Sequence, residues 1–246
     1  MLGEASKISR VLLLAGKEYI TLMNIHKEIP EEKIRKELNK SIGTITQLPP
    51  LKSAVKRVER QRKVYYINIL EIQGRDVLFK IGCEAGTYIR RVCDDFGKKL
   101  KTGAHMQELI RTKAGPFNEK DMHTLQEIQE AYFLYKDEHN ENKLKEIIKP
   151  VEFAAAHLPK IWIHDSAVSS ICTGIDLSIP GISKLETEIN ENDLVAVFTL
   201  KNELVCIGTA MLSTEDIIKN EKGKALKIER VFMKRDLYPK WKSTII

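Results

Sequence analysis

The densest chemistry in the sequence is cationic. Between residues 52 and 63 stand Lys52, Lys56, Arg57, Arg60, Arg62 and Lys63, against the single acid Glu59. Six cations so close together can neutralise several phosphates of a polyanion. The segment follows Gln47-Leu48-Pro49-Pro50 and lies between two strand-like runs. It is therefore predicted to be an exposed loop able to close on a nucleic-acid backbone, with a merely solvated loop as the alternative. A weaker basic set near the C-terminus, Lys224, Lys227, Arg230, Lys234, Arg235, Lys240 and Lys242, is interleaved with Tyr238 and Trp241. A solvated tail is the simpler reading there.

Arg90 closes the run Gly86-Thr87-Tyr88-Ile89-Arg90, a predicted strand-to-helix turn. A cation in a first helical turn faces an already electropositive helix end, so Arg90 needs an anionic partner, structural or catalytic. Tyr19 is open in the same way: a core tyrosine with its hydroxyl satisfied, or a stacking platform if it lines a pocket. His105 and His123 have no serine or cysteine motif around them and read as structural. Cys83, Cys93, Cys172 and Cys206 form no C-x-x-C pair, which points to reduced core thiols rather than zinc or a disulfide framework. No glycine-rich phosphate loop or nucleophile elbow is present.

The elements that must position these residues follow from periodicity. Ile8, Val11, Leu12 and Ala15 predict a helix over 5–15 with no preceding element to cover its apolar face. Lys17 to His26 predicts an inner strand, apolar on both faces. Pro30 opens a short amphipathic helix through Ile34, Leu38 and Ile42 to Gly43. Val64 to Ile72 and Val77 to Ile81, parted by Gly74, predict a hairpin. Thr87 is the expected N-cap of a helix along Ile89, Val92, Cys93, Phe96 and Leu100, and Thr124 with Glu127 forms a capping box for another. Beyond a boundary between about 150 and 160, short runs such as 160–163, 194–198, 204–207 and 228–233 predict a compact, mostly β module.

The 246 residues suit two domains, and 43% hydrophobic with 30% charged residues excludes disorder as the main state. No apolar run approaches the roughly 20 residues that span a bilayer, and the N-terminus lacks the pattern of a signal peptide, so a cytoplasmic location is expected. The net charge of +6 supports a polyanionic partner only where it is clustered, as at 52–63.

Taken in order, Gly16-Lys17-Glu18-Tyr19, Gln47-Leu48-Pro49-Pro50-Leu51-Lys52-Ser53-Ala54-Val55-Lys56-Arg57, Arg62-Lys63-Val64-Tyr65-Tyr66, Glu84-Ala85-Gly86-Thr87-Tyr88-Ile89-Arg90, Gly103-Ala104-His105-Met106 and Gly115-Pro116-Phe117 resemble an archaeal dyskerin-type pseudouridine synthase. So do Leu158-Pro159-Lys160, Asp165-Ser166-Ala167-Val168 and Val231-Phe232-Met233. The resemblance covers essentially the whole chain. It implies an α+β fold: a catalytic domain at 1–155 on a mixed, mainly antiparallel sheet with helices, then a small, mostly β PUA domain at 156–240. It implies isomerisation of uridine to pseudouridine in tRNA, at a T-loop uridine, or in rRNA as the catalytic subunit of an H/ACA guide ribonucleoprotein. No cofactor or metal is implied. The implied partners are tRNA or rRNA, the guide RNA, small Gar- and Nop-type proteins and a kink-turn-binding ribosomal-protein homologue, with no membrane. Tyr19 matches the tyrosine that stacks on the target uracil and is a candidate for the final proton removal at C5. Arg90 matches the arginine that pairs with the catalytic aspartate, and Leu109 the apolar residue beside the flipped base. Lys52, Lys56, Arg57, Arg60, Arg62 and Lys63 fall in the RNA-closing loop.

In one respect the sequence departs from the pattern. The family's nucleophilic aspartate lies in a Gly-Thr-Leu-Asp-Pro-type segment upstream of the part that resembles Leu2 to Lys7, and the 246 residues do not contain that segment. Asp94 and Asp95, four and five residues after Arg90, belong to another part of the pattern and do not replace it. The chain by itself is expected to be inactive, and a non-catalytic RNA-binding fragment or scaffold of the same family is the alternative.

Overall fold

The computed structural model describes residues 1–49 and 56–239. By packing, the chain divides into two compact units, Val11–His139 and a second made of Met1–Arg10 with the residues from Asn140 onward. In packing, the first ten residues and 140–155 go with the C-terminal body.

The start of the chain is a 3-10 turn, Gly3–Ile8, running into a short helix α1, Ser9–Leu14, rather than one continuous helix. Ile8 and Val11 are buried, while Leu13 and Leu14 stay 71% and 62% exposed. The rest of the Val11–His139 unit is a six-stranded sheet with helices. Its elements are β1 (Lys17–Ile25), α2 (Glu31–Asn39), β2 (Gly43–Gln47), β3 (Arg60–Gln73), β4 (Asp76–Cys83), α3 (Ile89–Lys99), β5 (Ala104–Ala114), β6 (Phe117–Asn118) and α4 (Leu125–Glu138). The strand order is β2-β3-β4-β1-β5-β6, antiparallel at every pairing. β1 is inner, as its two apolar faces require. β3 and β4 form the expected hairpin, with Gly74 at φ 57° in its turn. Thr21, Met23 and Ile25 alternate onto the buried side of β1, and their partners Phe79 and Val77 on β4 share it. Ile89, Val92, Cys93 and Phe96 of α3 complete that core. At roughly 25 cal/mol per Å² of apolar surface, this common face is what holds α3 against β1 and β5. Gly97 permits the approach: a Cβ there would lie 2.1 Å from the Ala104 nitrogen.

Three local expectations are corrected. The α2 helix ends at Asn39, leaving Ile42 outside it and 42% exposed. Thr87 does not cap α3; its hydroxyl donates to Glu84 O at 2.7 Å, and the N-cap is Tyr88. Residues 52–63 are not wholly loop, because Arg60–Lys63 pair with β2 as the start of β3. The capping box at Thr124 and Glu127 forms as expected.

The second unit contains α5 (Asn142–Ile147), α6 (Val151–Ala154), β7 (Lys160–Ile163), α7 (Asp165–Cys172), β8 (Leu177–Ser178), β9 (Ile182–Leu185), β10 (Leu194–Thr199), β11 (Leu204–Ala210), α8 (Thr214–Lys219) and β12 (Lys224–Val231). Its sheet order is β8-β12-β11-β10-β7-β9, with β7 and β10 parallel. Val195, Val197, Val205, Cys206 and Leu226 fill its core. The Gly3–Ile8 turn packs on α6, and Lys7 Nζ donates to Val231 O at 3.1 Å.

Candidate functional site

The site is built on β1, β5 and the first turn of α3. Tyr19 shares the buried side of β1 with Thr21, by the two-residue alternation of a strand. Across to β5, Tyr19 pairs with Arg111 and Thr21 with Leu109, so all four side chains lie on one face. Over that face, Cys93 of α3 sits beside the Thr21 hydroxyl, and Arg90 is one helical turn earlier on the same helix. Tyr19 is half-buried against the core that includes Ile89, and Leu109 is 39% exposed. The structure thus brings Tyr19, Leu109 and the start of α3 to one face of the sheet.

Burial raises the Tyr19 hydroxyl above its usual 10, against the opposing pull of the Arg111 guanidinium beside it. A phenol so placed is protonated at neutral pH and can donate a hydrogen bond or offer its ring to a base. Behind it, on the other face, Glu18 locks the sheet. Tyr66 Oη donates to Glu18 Oε2 at 2.5 Å, Thr112 Oγ1 donates to Oε1 at 2.7 Å, and Lys80 lies 3.6 Å away. Burial would raise the Glu18 carboxyl, but these donors outweigh it and hold it below 4.5. Lys17 is spent within the unit, its Nζ donating to the carbonyls of Leu12, Leu13 and Ala15 at 3.0, 3.3 and 2.5 Å.

Arg90 and Arg91 are neighbours with different employment. Arg91 is held by Asp94 at 2.7 Å and Asp95 at 3.8 Å. Arg90 is exposed and has no ion pair among the described residues. No described residue therefore supplies the anion that its position demands. Arg90 lines a cleft of about 360 Å³ with Pro49, Arg57, Arg91, Asp94, Ala104 and His105. Three arginines face one carboxylate there, and Asp94 is already shared between Arg91 and Lys98. The cleft brings the basic segment and the α3 arginine together, and it suits an anion. A larger cleft of about 480 Å³, with Gln47 in its wall, is also lined by Lys40, Lys98 and Lys99, whose charges already meet Glu37 or Asp94. His105 is not merely buried structure: it lines the first cleft and shares a 2.9 Å hydrogen bond with His26.

Within the basic segment, Lys56, Arg57 and Lys63 are exposed, and Arg60 is partly covered. Arg62 is diverted, since its guanidinium lies against Gly86 and meets Glu84 at 3.5 Å. Lys52 lies outside the described residues, as do Lys240, Trp241 and Lys242. Sequence reasoning did not find Gln47, which is 3% exposed and bonds to both the N–H and the C=O of Tyr88. Nor did it find Arg111; its only signal was a place two residues after Leu109 on an unrecognised strand.

Family models match nearly the whole chain. The TruB family pseudouridylate synthase N-terminal domain matches residues 1–89, the tRNA pseudouridylate synthase B C-terminal domain 90–156, and a PUA domain 159–232. The chain belongs to the TruB family of pseudouridine synthases. Among TruB-family relatives, a protein of Methanosarcina barkeri described as "Probable tRNA pseudouridine synthase B" is 49% identical over 98% of this chain and 71% of its own length. One of the same description from Pyrococcus abyssi is 51% identical over 97% of this chain and 72% of its own. The crystal structure of a Cbf5-Nop10-Gar1 complex contains a chain with 49% identity and a TM-score of 0.92, covering 98% of this chain and 73% of that one. An H/ACA ribonucleoprotein bound to a substrate RNA containing 2′-deoxyuridine contains one with 46% identity and a TM-score of 0.86, over 97% and 73%. The α+β synthase fold with a C-terminal PUA domain is the fold of this chain. No helix among the described residues is long and apolar enough to cross a membrane.

Proposed function

We propose that these residues hold RNA and position the target base in a synthase that converts uridine to pseudouridine, at a tRNA T-loop uridine or in rRNA under an H/ACA guide. The observation that carries this reading is the cleft where Arg57 of the basic segment meets Arg90, an arginine with no ion pair among the described residues. In that reading, RNA phosphates are taken by Lys52, Lys56, Arg57, Arg60 and Lys63, with Arg62 serving chiefly to brace the segment against Glu84. The target nucleotide leaves its stack, its uracil lies on Tyr19, and Leu109 packs beside it. Arg90 receives the carboxylate that attacks the nucleoside at C1′; the C1′–N1 bond breaks, the freed uracil turns, C5 bonds to C1′ as the carboxylate leaves, and the C5 hydrogen is released as a proton, the step that tritium at C5 reports.

The partners in this reading are the guide RNA, Nop10- and Gar1-type proteins and a kink-turn-binding ribosomal-protein homologue, as the similarity to the Cbf5 complexes supports. The PUA domain holds RNA. The bare state of Arg90 favours a second reading for residues 1–246 assayed alone, that of an RNA-binding scaffold. The test is tritium release from C5-labelled uridine in a T-arm hairpin and in a guide-paired rRNA segment, with residues 1–246 alone and joined to a Gly-Thr-Leu-Asp-Pro-type segment. Release only in the joined form supports the first reading. Release by residues 1–246 alone would place the nucleophile among them and refute the assignment of Arg90 to an outside carboxylate.

A further inference from the structure

Gln47 ends the edge strand β2, where its backbone pairs with Arg60, and its side chain turns inward to 3% exposure. Its Oε1 accepts from Tyr88 N at 3.0 Å, and its Nε2 donates to Tyr88 O at 3.1 Å. The side-chain amide thus bonds both backbone groups of one residue, as a neighbouring strand would. Tyr88 is the N-cap of α3, and no side chain within the helix caps that end. The same Tyr88 carbonyl accepts from Arg91 N at 2.9 Å and Val92 N at 3.2 Å, so it begins the helix.

The turn before α3 is pinned at its other end by Glu84. Its Oε2 accepts from Lys63 N at 3.0 Å, and its own N–H donates to Lys63 O at 2.8 Å. One end of the turn is therefore tied to β3 and the other to Gln47. Arg91 has two aspartates to set its direction, whereas Arg90 has no ion pair among the described residues.

We infer that Gln47 is a positioning residue for Arg90: by clamping the backbone N–H and C=O of Tyr88 it fixes the first turn of α3 and the direction in which Arg90 meets its anion. The inference rests on the reading that Arg90 serves the RNA-modifying site. It makes the foot of the basic segment and the arginine parts of one rigid frame.

The test is NMR of the arginine Nε–H groups in the 246-residue chain carrying ¹⁵N-arginine, with the Arg90 signal assigned from Arg90→Lys. In the wild type, adding a T-arm hairpin RNA shifts that signal. In Gln47→Leu the Arg90 signal moves or broadens before any RNA is added and no longer responds to it. RNA affinity, set mainly by phosphate contacts, changes less than about threefold, and the signal of Arg35, paired with Glu31, stays in place. Gln47→Glu keeps the acceptor for Tyr88 N–H, loses the donor and is intermediate. A folded Gln47→Leu chain whose Arg90 signal matches the wild type with and without RNA overturns the inference. If the leucine variant does not fold, the same comparison in Gln47→Glu decides. If the wild type fails to bind the hairpin, the functional reading falls, while the RNA-free spectra still judge Gln47.

Discussion

In the PUA unit, polar groups at the ends of the strands find partners inside the unit. Asp176 takes Lys224 Nζ at 3.1 Å and Ile228 N at 3.2 Å, Glu186 takes Lys160 at 3.2 Å, and Trp162 Nε1 donates to Asn202 at 2.9 Å. In the β1–β6 unit the groups behind the sheet are matched as closely, around Glu18, but those in front are not. Arg57, Arg90 and Arg91 share a cleft with one carboxylate already engaged. Cations placed side by side repel one another, a cost offset only when an anion arrives. One unit has its strand ends paired from within; the other carries a cleft whose cations outnumber its acids.

The strongest way to break that contrast is through the two adjacent arginines. In a chain joined to the aspartate-bearing segment, Arg90→Ala is expected to abolish tritium release. Removing a nucleophile outright costs on the order of 10⁶-fold in an enzyme such as subtilisin, and a carboxylate left without its cation approaches that limit. Arg91→Ala, which leaves Asp94 to Lys98 and takes from Asp95 its Arg91 contact, keeps measurable turnover and loses stability instead. Equal losses in the two variants would mean that Arg90 holds no special place.

Next in size is RNA affinity. Replacing Arg57, Arg60, Arg62 and Lys63 together by Ala should flatten the log K against log[salt] line, by about 0.7 to 0.9 for each phosphate no longer neutralised. Arg62→Ala alone should leave the slope nearly unchanged and lower the melting temperature, because Arg62 already faces Glu84. An unchanged slope in the quadruple variant removes the segment from the RNA interface.

The internal pairing of the PUA unit predicts independent folding, but not from its sequence-based start. A 156–246 fragment lacks Glu152, whose Oε1 accepts from Leu204 N at 3.0 Å. Leaving that donor bare costs about 1–3 kcal/mol, so 156–246 should melt roughly 4 to 8 °C per kcal/mol below a 140–246 fragment. Either fragment should bind an H/ACA guide RNA; a cooperative melt with no guide affinity would keep the domain and sink its RNA role.

The smallest effect concerns Glu18. Its folded pKa is lowered below 4.5, so its stabilising contribution is present above 4.5 and lost as pH falls through the lower folded value. Glu18→Gln should flatten that acid limb of the stability curve, and Tyr66→Phe should lower stability by about 1 kcal/mol at neutral pH. An unaltered acid limb in Glu18→Gln would show that the network contributes nothing.

What the sequence conveyed follows from burial. The inner strand at Lys17–Ile25 and the β3–β4 hairpin alternate apolar residues into a core, and the Thr124 capping box is purely local. The β5 strand was illegible because most of its side chains face solvent, Leu109 and Ile110 among them, so no alternation marks it. β2 was too short at five residues. At the site, the oddity of a cation in a first helical turn marked Arg90, a local signal. Gln47 carries no such signal, since its meaning arises only when the chain folds back to bring Tyr88, 41 residues later, against it.

The packing of residues 1–10 with the body that starts at Asn140 imposes an order on synthesis. At about 5–20 residues per second, the opening turn leaves the ribosome on the order of ten seconds before α6 exists to receive it. The β1–β6 unit has all its own strands by then and can close first. Docking of the Gly3–Ile8 turn on α6 is then a late event, made only after the β1–β6 sheet has been translated.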